Sequence, residues 1–261
     1  GMSALPLRSL LRHRTGQVSR QTVSLTAPAI LGTRWTAVCN APWLICEPAS
    51  GATADGPQAV PVGPVPGLAE ARPHRRAVTF RTDGGFCRTV LVDVRVYPAR
   101  DVMLVFEAED GLLAGGFEKV ADPSAAHGFY IHAPEAQAPA AGAADQPGEP
   151  GTATFTISVP ESGTYTLMGR CFVLGPRDFA VRHDSFFYSL DGGEKRRWDL
   201  WMLPYDRWSW ATAEAQDRQE RVPPLQLEAG THRLVIHARE PLARLDRIAL
   251  TNNPYGEFPP E

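Results

Sequence analysis

The sequence predicts an all-β protein of two sandwich domains joined by a short hinge. Three observations lead there. Proline and glycine number 24 and 23 in 261 residues, above average usage and suited to many short strands joined by turns. Apolar and polar residues alternate with period two over several runs, and long stretches with a 3.6-residue period are absent. The hydrophobic fraction of 43% is enough for packed cores, while no uninterrupted apolar run of about 18 residues offers a membrane span.

Residues 15–99 are expected to form the first domain. Its strand-like runs are Gln21–Thr26, Arg34–Cys39, Trp43–Cys46, Gln58–Val62, Arg76–Arg81 and Arg88–Val96. Between them lie Asn40-Ala-Pro42, Pro48-Ala-Ser-Gly51 and Asp83-Gly-Gly85. These residues reverse a chain through free or fixed φ and local side-chain hydrogen bonds. Trp35 and Trp43 are embedded in apolar strands and read as core residues, not exposed platforms. Ahead of this domain, Gly1-Met2-Ser3 reads as an expression-tag remnant. The basic stretch Leu5–Arg14 lacks the apolar core and small-residue cleavage site of a signal peptide. Tyr97-Pro-Ala-Arg-Asp101 is a hinge too short for freely tumbling modules.

Residues 102–253 are expected to form the second domain. The run Gly151–Arg170 alternates with period two and turns at Pro160-Glu-Ser-Gly163, which predicts an antiparallel hairpin. Asp191-Gly-Gly193 is a second hairpin turn. Residues 133–150 are low in complexity and lack apolar anchors. They read as a flexible loop inserted within the domain, because the first strand needs later ones to complete a sandwich. The tail from Asn252 to Glu261 packs along the surface or frays.

Charge is unevenly placed. Residues 1–100 carry 12 Arg, no Lys and 5 acids, net +7, whereas the remainder carries 14 Lys and Arg against 24 acids, net −10. Opposite signs would suit docking of one module on the other. A nucleic-acid surface on the first module is disfavoured because its arginines are scattered along the sequence. Cys39, Cys46, Cys87 and Cys171 show no CxxC pair and no zinc-type spacing. A disulfide between two of the first three suits an exported protein, and buried free thiols are the other reading.

Two resemblances rest on ordered motifs. Trp35-Thr-Ala, Ala41-Pro-Trp43-Leu and Pro48-Ala-Ser-Gly51, followed by a valine-rich strand, resemble BACON-type immunoglobulin-like domains over nearly all of 15–99. Such a domain implies a spacer at least as often as a sugar binder. The second resemblance has three parts: Phe106-Glu-Ala-Glu-Asp-Gly111 at one end, the alternating middle run, and Ala243-Arg-Leu-Asp-Arg-Ile-Ala-Leu-Thr251 at the other. Together they resemble the calcium-bearing, galactose-binding-like β-jelly rolls of family 6 and family 35 carbohydrate-binding modules. The fold class these imply is an immunoglobulin-like β-sandwich followed by a β-jelly roll.

Glu107 and Glu109, two apart on a strand, would share a face and could serve one cation. Calcium takes six to eight oxygens, and backbone carbonyls could complete the set. The similar modules use a Glu-x-Glu first strand and a terminal-strand Asp for a structural ion, which implies Glu107, Glu109 and Asp246 here. The competing reading pairs these acids with Arg244 or Arg247.

Trp198, Trp201, Tyr205, Trp208 and Trp210 place five large aromatics in 13 residues, too many to bury together with ease. A sugar ring stacks its C–H face on an aromatic ring, while carboxylates and guanidinium groups bond its hydroxyls. The resemblance makes Trp208 the ligand platform and Trp210 a core residue. Tyr205 would oppose the platform, with Asp206 or Arg207 reaching hydroxyls and Tyr130 or its neighbour Phe129 as a second nearby aromatic. Many relatives hold an Asn two residues before the terminal Asp. Here that position is Arg244, which bonds carboxylates bidentately and so suits an acidic sugar, a dead or repurposed site being the alternative.

Catalytic motifs are missing. His183-Asp-Ser185 holds the residue types of a serine triad, but triads are assembled from distant chain positions. No Gly-x-Ser-x-Gly elbow, HExxH pair or phosphate-cradling loop occurs. The expectation is therefore a non-enzymatic accessory protein that binds a poly- or oligosaccharide and carries a structural Ca2+. By resemblance it would be secreted or at the cell surface, beside further modules of a larger enzyme or surface protein, without a nucleic-acid partner. The alternatives are a structural or adhesion module without sugar binding, and a glycoside hydrolase or polysaccharide lyase.

Overall fold

Alternating side chains sort each long strand into a core row and an outward row. In the strand Cys87–Tyr97, Val90, Val92, Val94 and Val96 are buried while Leu91 and Arg95 face out. The computed structural model describes residues 2–26, 34–53, 56–70, 72–134, 151–176, 183–200, 203–213, 216–217, 220–221 and 224–259. The chain is all-β and divides into two units, Gly1–Asp101 and Val102–Glu261. Among the described residues no helix is long and apolar enough to cross a membrane.

The first unit is an immunoglobulin-like sandwich, with nine strands among the described residues: β1 (Ser3–Leu5), β2 (Arg8–Arg14), β3 (Gln21–Thr26), β4 (Arg34–Cys39), β5 (Leu44–Cys46), β6 (Ser50–Ala52), β7 (Gln58–Pro64), β8 (Pro73–Thr82) and β9 (Cys87–Tyr97). One sheet has the order β1-β3-β7-β5 and the other β2-β9-β8-β4-β6. The stretch before residue 15, left outside the domain on sequence grounds, supplies β1 and β2. The first pairs with β3, and the second runs parallel to β9 from Arg8↔Leu91 to Arg14↔Tyr97. Met2, Ala4 and Leu11 enter the core, so three short apolar contributions inside a basic stretch were enough to hold it. Trp35 is a core residue as expected, 2% exposed and edge-on to Phe80 at 5.9 Å. Gly51 on β6 leaves the room its indole needs, since a Cβ there would overlap the ring. All four cysteines of the chain are free thiols, and burial, with Cys39 nearby, pushes the Cys46 thiol up to about 12.

The second unit contains β10 (Met103–Glu107), β11 (Leu112–Ala114), β12 (Glu118–Ala121), β13 (Phe129–His132), β14 (Thr152–Val159), β15 (Gly163–Phe172), β16 (Ser185–Leu190), β17 (Arg196–Asp199), β18 (Trp208–Thr212), β19 (Gln216–Asp217), β20 (Glu220–Arg221), β21 (Leu225–Leu227), β22 (Gly230–Ala238) and β23 (Arg244–Thr251). A five-stranded sheet, β11-β14-β22-β16-β17, faces a seven-stranded one. The latter runs β12-β13-β23-β15-β18, with β10 along β23 and β21 along β15. This is the jelly-roll arrangement of two antiparallel sheets over one core. First and last strands are neighbours, in register from Met103↔Thr251 to Glu107↔Arg247.

Two local expectations are corrected. Strands β14 and β15 do not form a hairpin at Pro160–Gly163: β14 pairs with β11 and β22, β15 with β18, β21 and β23. The turn carries the chain from one sheet to the other. Alternation alone cannot tell these cases apart, because both strands turn an apolar row to the same core. The Asp191-Gly-Gly193 hairpin does form, joining β16 to β17 with Asp191 and Gly192 at positive φ. Glu109 is not on the first strand, which ends at Glu107 and passes into a 3-10 turn, Ala108–Asp110. Of the proposed loop 133–150, Ala133 is buried, and 135–150 lie outside the described residues, as does Trp201.

Candidate functional site

On β15, Leu167 and Cys171 point into the core, as does Val173 just beyond it, which turns Met168, Arg170 and Phe172 outward. Register then gathers the neighbours. Phe172 stands opposite Trp208 on one side and Arg244 on the other, and Arg170 stands opposite Trp210 and Arg247. Tyr130 of β13 joins them, since Ile131 beside it fills the core. The outer face of the seven-stranded sheet thus carries three rings and two arginines in contact.

Trp208 is half-buried. Its ring meets Phe172 edge-on at 5.3 Å and Tyr130 at 5.6 Å, with the Arg170 guanidinium 5.4 Å from its centroid. Its Nε1 donates to Ser124 Oγ at 3.0 Å, and Ser124 Oγ donates in turn to Asp122 at 2.6 Å. This chain fixes the indole's orientation. The bonds from Ser124 also hold the Asp122 carboxyl below the usual carboxylate range.

Arg244 lies between two rings, 4.8 Å from the Phe172 centroid and 5.0 Å from that of Tyr130. Its Nε is buried without a hydrogen-bond partner. No carboxylate among the described residues forms an ion pair with it. The Asp122 carboxylate is within electrostatic reach of Arg244 without an ion pair to it, so a guanidinium held by rings still has N–H groups to offer an anion from outside.

The other expected ligand residues divide. Tyr205 is 40% exposed and Arg207 is exposed. Asp206, at φ 55°, accepts the Gly175 N–H at 3.0 Å, so its carboxylate shapes a turn. Tyr130 is only 5% exposed and acts as a wall for Arg244, not as a free platform. Trp210 is not a core residue. It is two residues from Trp208 on the same strand, so both indoles project from the same outer face, while Ala211 packs on the core. The buried tryptophan of this region is Trp198, fully enclosed against Phe186. Sequence reasoning missed Phe172, Arg170 and the Asp122–Ser124 pair. The alternation of β15 was the signal available for the first two, and nothing local marked the third.

The residues expected to bind calcium gather around guanidinium groups. Arg247 Nε donates to both oxygens of Glu107, at 2.9 and 3.2 Å, and His127 Nδ1 lies 3.4 Å from the same carboxylate. Asp246, wholly buried, is bonded to Arg170 Nη1 and to the Ala126 N–H. Glu107 foremost, then Asp246 and Glu109, hold Arg247 in its charged form. Burial pushes the Glu109 carboxyl up, with the charge of Glu107 adding to it, and its Oε2 is buried without a partner. Glu109 therefore fits a cation ligand, whereas the oxygens of Asp246 are taken. Among the described residues no group of three or more His, Cys, Asp or Glu side chains is placed to hold a metal ion.

No protein-family model and no curated protein sequence matches the chain. Solved structures similar to it include a family 35 carbohydrate binding module from Clostridium thermocellum, at 18% identity, covering 56% of this chain and 97% of that one with a TM-score of 0.40. The C-terminal CBM6 of LamC, a marine laminarinase from Zobellia galactanivorans, is 15% identical over 57% of this chain and 99% of that one, TM-score 0.40. The Podospora anserina GH26-CBM35 β-(1,4)-mannanase is 20% identical over 62% of this chain and 29% of its own, TM-score 0.41.

Proposed function

We propose that the second unit is a non-catalytic glycan-binding module whose ligand lies across the outer sheet face at Trp208 and Arg244. The observation that carries this is the Arg244 guanidinium, held between Tyr130 and Phe172 with its Nε unpartnered, beside a half-exposed indole. An indole offers a stacking surface for a sugar's C–H face, and a ring-bound arginine offers a fork for a carboxylate. Together they select a uronic-acid glycan over a neutral one. Calorimetric titration with oligogalacturonate, against its methyl-esterified form, tests this directly, and equal affinity for both would reject the acidic-sugar reading.

A structural calcium belongs to the same proposal at the Glu107–Glu109 end, where the unpartnered Glu109 oxygen supports it. The ion would neutralise two close carboxylates and tie the first strand to its turn. A secreted or surface location, and a place beside further modules, complete the reading.

The alternative, a structural or adhesion module, is favoured by one observation: Arg170 covers part of the Trp208 ring. Hydrolysis has weaker support. The Asp184 and Glu240 carboxyls are hydrogen-bonded to each other, whereas glycosidase acids stand about 5–9.5 Å apart around the scissile bond.

A further inference from the structure

We propose that the first unit carries a second polyanion site, an arginine groove on the outward face of β2, β9 and β8 that takes the carboxylates of a uronic-acid polysaccharide. The ligand class rests on the reading of the second unit; the site does not. Arginines scattered in sequence become neighbours through register. Arg12 stands opposite Arg95, Leu10 opposite Asp93 and Asp93 opposite Arg75, while Arg8 pairs with Leu91 one row away. Because Val92 and Val94 fill the core, residues 91, 93 and 95 all face outward. The groove there measures about 540 Å³ and is lined by Arg8, Leu10, Pro73, Arg75, Asp93 and Arg95 among others.

Asp93 shows what the face recognises. Its two oxygens accept from Arg8 Nε, at 2.6 Å, and from Arg75 Nε. One carboxylate thus sits between two guanidinium groups, whose side chains are still 62% and 66% exposed. No other bond of either guanidinium is found among the described residues, so their outer N–H groups can take further carboxylates. Asp93 cancels only part of the positive charge around it.

The spacing suits a polymer. Neighbouring strands lie about 4.8 Å apart, and Arg8 and Arg12, four residues apart on β2, stand about 13 Å from each other. Cations repeated along such a track match a chain of regularly spaced anions better than one small ion. The rows between them hold Leu10, Leu91, Ala77 and Pro73 and no aromatic ring. Single-stranded nucleic acids are bound by stacking bases on aromatic side chains along a basic groove, so a polysaccharide is favoured.

The test uses the full chain and polygalacturonate, with binding read by calorimetry at low salt. Arg12→Gln is the safest variant, because Arg12 is exposed and no side-chain partner of it is found among the described residues. Arg12→Gln alone should weaken binding several-fold with an unchanged melting temperature, and the double variant Arg8→Gln/Arg12→Gln should weaken it about tenfold, as expected when charge-assisted pairs are lost. Unchanged affinity would overturn the proposal. Arg244→Ala is measured in parallel: if it alone abolishes binding, the groove is rejected and the reading of the second unit stands. If only the groove variants lose affinity, the groove stands and the reading of the second unit fails. Tighter binding of poly-L-glutamate or of a single-stranded oligodeoxynucleotide would overturn the choice of polysaccharide.

Discussion

The Arg244 guanidinium lies 4.8 Å from the centroid of Phe172, its partner across β23 and β15. The strand pairing that completes the sheet therefore also builds the slot in which a cation waits beside an indole. Interactions of this kind contribute roughly 0.5–2 kcal/mol depending on desolvation. That is enough to hold the side chain in place, and a ligand carboxylate can still take its N–H groups.

Arg244→Gln should remove the preference for uronic over neutral sugars and leave the melting temperature within a few degrees. The check is a paired titration of free and methyl-esterified oligogalacturonate. A preference that persisted in the variant would assign carboxylate recognition elsewhere.

Trp208→Ala should abolish glycan affinity at a cost of about 1–2 kcal/mol, since only part of the ring is buried. Trp198→Ala should cost about 3–5 kcal/mol as a full core truncation. Urea denaturation separates the two, and equal losses would contradict the placement of Trp208 on the outer face.

Gly169 packs against Trp198, and a Cβ there would overlap the indole and touch Leu245. Gly169→Ala should therefore destabilise by about 1–3 kcal/mol through overpacking. A variant as stable as the parent would mean that the ring has room to move.

Calcium added after chelation should raise the melting temperature, because an ion bound only by the folded state stabilises it by mass action. Glu109→Gln should erase the increment. If calcium leaves the melting curve of the parent unchanged, Arg247 is the only cation those carboxylates need.

Stability should fall as pH rises from about 4 to about 7. Burial foremost, then the charge of Glu240 and a hydrogen bond with it, push Asp184 up from 3.8 to about 7. Over that window the folded chain holds a proton that the unfolded chain has released, so raising the pH favours unfolding. Asp199 is raised in the same direction by burial, and Ser185 and Arg239 bond Glu240 nearby. His13 and His132 are lowered and His232 is raised, so they contribute with both signs near pH 6. The readout is therefore the difference between parent and Asp184→Asn, which should flatten the slope. Identical pH profiles would show that the acid pair carries no proton in the folded state.

Much of the architecture was legible. Runs such as Gln21–Thr26 and Arg34–Cys39 form strands with the expected bounds, and Asp83-Gly-Gly85 joins β8 to β9 as a reversal. The adjacency of Glu107 and the Asp246 strand followed from the order of the motifs. The site was less legible. Trp208 was recognisable as a surface ring, but its companion Phe172, 36 residues earlier, was not, because a strand's own sequence does not name its neighbours.

The sequence by itself determined which residues of the long alternating strands, such as Cys87–Tyr97, face a core, since side chains alternate about a pleated backbone. It did not determine which sheet a strand joins. Both sheets offer the same apolar surface, so β14 and β15 could part company at Pro160–Gly163 without any change in pattern. Only tertiary structure placed Arg247 among Glu107, Glu109 and Asp246, and gathered Arg8, Arg12, Arg75 and Arg95 on one face. Charges act over a few ångströms of space, and register across strands distant in sequence, not spacing along the chain, sets those distances.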